Sequence, residues 1–95
     1  MLNNTYELIM QGLGLHLQSE EFQIEARHLI TLMVTQSYTI VQALETVPND
    51  ILREKLGIFM YTVQLSAAVV ALRETGSITR EQGNDLLAFL QSLSW

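Results

Sequence analysis

The sequence predicts an all-α fold: a single four-helix domain over residues 1–95, built on a long antiparallel helical hairpin and completed by dimerisation. Three observations lead there. Apolar residues recur at helical spacing along nearly the whole chain, and strand-like alternation fails wherever it is tested. Capping residues and single Gly or Pro residues interrupt that pattern where helices would start and stop. Charged residues make up only 16% of the chain and apolar ones 48%, against a usual charged share of about a quarter, so one isolated copy has little charge with which to cover its surface.

The first helix starts among the N-cap candidates Asn3, Asn4 and Thr5. Leu2, Tyr6, Ile9, Met10, Leu13 and Leu17 fall on one face of it, with Leu8 and Leu15 opposite. Gly12 and Gly14 each cost roughly 1 kcal/mol relative to Ala in a helix, so this arm must be held by docking, either over the surface that binds a partner or as the binding element itself.

Ser19 followed by Glu20 and Glu21 opens the second helix: a capping hydroxyl, then acids at the positive end of the helix dipole. Its stripe of Phe22, Ala26, Leu29, Met33, Ile40 and Val47, widened by Ile30, Val34, Val41 and Leu44, runs to Val47, while Thr31, Thr35, Thr39, Gln42 and Thr46 line the far side. The β-branched middle of this stretch would suit a strand by propensity. Leu32, Met33 and Val34 are consecutive, however, as are Ile40 and Val41, which breaks alternation and favours helix; a break near Gln36 or Ser37 is compatible with the pattern.

Pro48 ends that helix, and Asn49 or Asp50 caps a third that extends to Gly76. The short connection predicts that the second and third helices lie antiparallel. At ~100° per residue, the third helix has two apolar faces. One carries Leu52, Leu56, Phe59, Met60, Val63, Ala67 and Val70; the other carries Ile51, Ile58, Tyr61, Leu65, Val69 and Leu72. No charge lies between Lys55 and Arg73. A helix apolar all round is buried on more than one side, so Ile58, Tyr61, Leu65, Val69 and Leu72 are the candidate surface for a second copy or a partner protein. Gly76 is placed as a helix-terminating glycine, and Thr79 with Gln82 forms a capping box for the fourth helix. That helix is expected to bury Leu86, Phe89, Leu90 and Leu93, with Trp95 packing back on the bundle.

Composition excludes several functions. A net charge of -5, with Arg27, Arg53, Lys55, Arg73 and Arg80 scattered, offers no stripe for nucleic acid. The absence of cysteine removes disulfides and thiolate chemistry and accords with a cytoplasmic setting. The start shows no secretory pattern. The charge-free runs 29–44 and 56–72 fall slightly short of a membrane span of ~20 residues and read as buried helices, so no membrane partner is expected. Neither His16 nor His28 lies in a nucleophile motif, the glycines form no phosphate loop, and neither an enzyme nor a cofactor is expected. The one rival is Glu25 with His28, a Glu-x-x-His pair of the kind that ferritin-like metal sites place on facing helices. Glu20, Glu21 and Glu25, with Glu7 and Glu45, could present an acidic surface, although acids in a first turn chiefly compensate the dipole. In size, acidity and helical character the chain is similar to small helical regulators such as bacterial antiactivators and secretion chaperones, but no motif residues carry that likeness. The expectation is a non-catalytic protein-binding regulator or chaperone-like adaptor that forms a homodimer.

Overall fold

A computed structural model describes residues 4–93. It is all-helical: α1 (Asn4–Gly12), a short 3-10 turn (Leu15–Leu17), α2 (Glu20–Thr35), α3 (Ile40–Leu44), α4 (Asp50–Glu74) and α5 (Arg80–Gln91), with no strand among the described residues. Every other helix packs against α4. Asn3, Leu2 and Trp95 lie outside the described residues.

The second expected helix is two. Its first part stops at Gln36, where the backbone turns through Ser37 at φ 56 and the Leu32 carbonyl accepts from both Gln36 and Tyr38. Thr39 then starts α3 with a capping box: its hydroxyl accepts from the Gln42 amide, and the Gln42 side chain accepts from the Thr39 amide. Thr39 and Gln42 are therefore caps rather than part of a polar far side, and among the described residues five α-helices replace the expected four.

This break also changes the hairpin. Phe22, near the start of α2, meets Phe59 edge to face at 5.2 Å, and Ser19 and Phe22 share a cleft with Ile51, Leu52 and Lys55. Met33, near the end of α2, shares one with Tyr61 and Gln64. So α2 advances in the same sense as α4, and the reversal falls to α3. Ile40 and Val41 lie by Tyr61 and Gln64, Leu44 lies 3.5 Å from where a Cβ on Gly57 would stand, and the Val47 carbonyl accepts from Nε and Nη2 of Arg53. The expected antiparallel pair of long helices is replaced by the short α3 running back along α4.

The core is one cluster drawn from α1 to α4: Met10, Leu13 and Leu15; Phe22, Ala26, Leu29, Ile30 and Leu32; Ile40, Ala43 and Val47; Leu56, Phe59, Met60 and Val63. Leu15 was expected opposite the main face of the first helix, with Leu17 on it; the reverse holds. Gly14, at φ 91, ends the helical path and turns Leu15 inward, leaving Leu17 78% exposed. A bidentate ion pair fastens α1 to α2: Arg27 donates through Nε and Nη2 to Glu7, which also accepts from Gln11 at 2.7 Å. Those hydrogen bonds, from Arg27 first and Gln11 second, hold the Glu7 carboxyl below its ordinary range against a small opposing effect of burial.

Asn49 caps α4 through the Leu52 amide. At the other end Gly76, at φ 77, completes a Schellman turn in which Ser77 donates to Leu72 and Gly76 to Arg73. Thr79 and Gln82 form the expected capping box at the start of α5.

Candidate interaction surface

The two faces of α4 separate as its periodicity requires. Leu56, Phe59, Met60 and Val63 are buried, with Leu52, Ala67 and Val70 half-buried beside them. On the other face Ile58, Tyr61, Leu65 and Leu72 are 52%, 50%, 57% and 44% exposed, Ile51 is exposed, and Val69 is half-buried. The two polar residues on the covered side are buried differently. The Thr62 hydroxyl donates to the Ile58 carbonyl, whereas the Ser66 hydroxyl has no hydrogen-bond partner among the described residues.

From Ile58 to Leu72 the exposed face is uncharged; Glu54 and Lys55 separate this stretch from Ile51, Arg73 and Glu74 follow it, and Arg73 is engaged by Asn84 on α5 at 2.7 Å. Desolvating such a face strands no charge, so its burial is opposed by side-chain entropy and by the translational and rotational freedom lost on association rather than by charge desolvation. Half-exposed Leu, Ile and Tyr side chains each withhold on the order of 1 kcal/mol of transfer free energy that a covering surface would recover. α4 is also long and apolar enough to cross a membrane by length and composition, although its opposite side carries packed helices.

Two further elements border this face. Val41 on α3, exposed, shares a shallow cleft with Tyr38, Met33 and Tyr61. On α5 the expected buried set is largely outside: Leu86, Phe89 and Leu93 are exposed, and Leu90 with Gly83 is buried. The reason is the seating of α5. A Cβ on Gly83 would stand only 2.9 Å from Arg73 Cδ, so the helix presses on α4 along its glycine, and Leu86 and Phe89 rotate away from the contact. Periodicity gives the apolar arc of a helix but not which part of it meets a neighbour.

α1 does not cover this surface. Leu8, Ile9 and Leu13 form a cleft of about 170 Å³ with Ser66, Val70 and Leu87, on the other side of α4 from Leu65. The expectation that the first helix docks is met; the surface it docks on is the core.

The rival metal pair is not assembled further. Glu25 is half-buried and His28 exposed, and among the described residues no group of three or more His, Asp or Glu side chains is placed to share an ion. Glu20 and Glu21 are exposed in the first turn of α2. No protein family, curated protein or solved structure was found to match the chain.

Proposed function

We propose that the chain is a non-catalytic, protein-binding regulator or chaperone-like adaptor of the cytoplasm, which sequesters or presents a partner protein through the apolar face of α4 and associates with itself. The observation that supports this reading is the charge-free face of Ile58, Tyr61, Leu65, Val69 and Leu72, left open while four helices cover the other side. Scattered apolar residues on a surface need no explanation, whereas a contiguous row on the central helix marks an interaction site. The reading involves no cofactor and no nucleic acid; the net charge of -5 works against phosphate binding.

The test is affinity capture from native lysate with the wild-type chain and with Leu65→Glu in parallel. A partner protein recovered in stoichiometric amount by the wild type and lost from the variant is the expected result. Equal recovery by both would remove this face from the function, and recovery of the chain alone would remove the partner.

A further inference from the structure

We propose that the open face of α4 and the exposed edge of α5 form a single interface, and that its occupant is a second copy of this chain, related by a two-fold axis that sets the two α4 helices antiparallel. The proposal rests on the reading of the α4 face as a contact surface and names what covers it when no partner protein is bound.

The geometry of the α4–α5 pair comes first. Arg73 meets Gly83 and Asn84, while Ser66 and Val70 meet Leu87 and Gln91, so the contacts run in opposite directions along the chain and the two helices are antiparallel. α1 fills one side of the pair, against Val70 and Leu87. One residue back along each helix is a rotation of ~100°, which puts Val69 and Leu86 on the side that α1 leaves open. Along α4 the residues Ile58, Tyr61, Leu65, Ala68 and Leu72 follow the alternating three- and four-residue spacing of a bundle seam, and all are exposed. Leu86 and Phe89 repeat a step of that spacing on α5. Two such pairs face to face make a four-helix bundle.

Area and charge select the occupant. Ile58, Tyr61, Leu65, Leu72, Leu86 and Phe89, each 44% to 62% exposed, together show on the order of 600 Å² of apolar surface, the upper end of the ~300–600 Å² patch of a monomer and most of the ~800 Å² per partner of a stable dimer. At a two-fold interface a residue meets its own copy only near the axis, and every other contact is reciprocal, residue i on residue j and j on i. A seam with no charge from 56 to 72 is one that meets itself without repulsion. Helices that lie on membranes carry a Lys- and Arg-rich polar face, whereas this chain has five basic residues against ten acidic ones. Glu54 sets the direction. It is exposed and lies seven residues before Tyr61, at the same seam position, so parallel copies would place two Glu54 carboxylates together and antiparallel copies separate them by most of the helix.

The experiment is sedimentation equilibrium on the full chain across the micromolar range, with helicity followed by circular dichroism. The wild type is expected to dimerise. Leu65→Glu on α4 and Phe89→Glu on α5 should each weaken the dimer roughly a hundredfold or more, the consequence of burying an unpaired charge, at unchanged helicity. Ile24→Glu, at an exposed residue of α2, should leave the dimer intact. Because the chain has no cysteine, single-cysteine variants cross-link at one known position and so test orientation. Leu65→Cys, near the axis, should form a disulfide-linked dimer, whereas Ile58→Cys, about 10 Å along the helix from it, should not. A monomeric wild type, a dimer indifferent to Phe89→Glu, equal cross-linking at both cysteines, or flotation of monomer with phosphatidylcholine vesicles would each overturn the proposal. A monomeric wild type that still captures a partner lost in Leu65→Glu overturns this proposal and leaves the adaptor reading standing; a dimer that captures nothing does the reverse.

Discussion

Phe59 and Tyr61 are two positions apart on one helix and belong to different surfaces. Phe59 is fully buried against Phe22, so Phe59→Ala should cost about 3–5 kcal/mol, the range for truncating a packed aromatic. Tyr61→Ala removes a ring that is half in solvent and should change the stability of a single chain by less than about 0.5 kcal/mol. Urea denaturation of both variants at low protein concentration measures the difference. Ser37 and Gly76 make a second pair: both sit at helix ends with positive φ, 56 and 77, but only one is a glycine. Gly76→Ala should destabilise by about 1–2 kcal/mol, the cost of a Cβ in the left-handed region. Ser37→Gly should be neutral or stabilising, because the strain it relieves offsets the entropy that glycine adds to the unfolded chain. Thermal midpoints of the two variants moving the same way would contradict this account.

At the scale of elements, α1 is held by burial of Met10 and Leu13 and by the Glu7–Arg27 pair. Both partners of that pair are about two-fifths exposed, so solvent screens it and it contributes under ~1 kcal/mol. Because the Glu7 carboxyl is depressed in the folded state, its contribution is present in full above the ordinary glutamate range and is lost as pH falls through the depressed value. Acidification should therefore lower the protection factors of α1 amides before those of α4, once the intrinsic pH dependence of exchange is divided out, and Glu7→Gln should abolish that difference. Hydrogen exchange followed by NMR from neutral to acidic pH checks both. Deleting residues 1–18 should not uncover the α4 face, since α1 lies against Ser66 and Val70; it removes Leu15 and its neighbours from the core instead.

For the whole molecule, the proposed dimer, closed by an uncharged seam between two chains of net charge -5, would have a definite response to salt. Screening weakens the repulsion between copies and does not touch the apolar contact. Raising sodium chloride should tighten the dimer modestly, and sulfate should tighten it more by exclusion from the surface. Sedimentation equilibrium at several salt concentrations measures this, and dissociation by salt would point to ion pairs across the interface in place of the seam.

Local chemistry was legible without the fold. The cap residues Ser19, Asn49 and Thr79, the terminating Gly76, and the two faces of α4 follow from contacts within three or four residues of each other, which the sequence states directly. The capping box of Thr39 and Gln42 was equally readable, but the continuous apolar stripe across it made one helix seem simpler than two. What the tertiary structure alone decided is which part of each apolar arc is covered. Leu15 faces inward because Gly14 redirects the chain, and Leu86 and Phe89 face outward because Gly83 lets α5 sit close on Arg73. Apolar character says that a residue gains by leaving water; where it goes depends on neighbours far away in sequence, and on this chain there are fewer such neighbours than apolar faces.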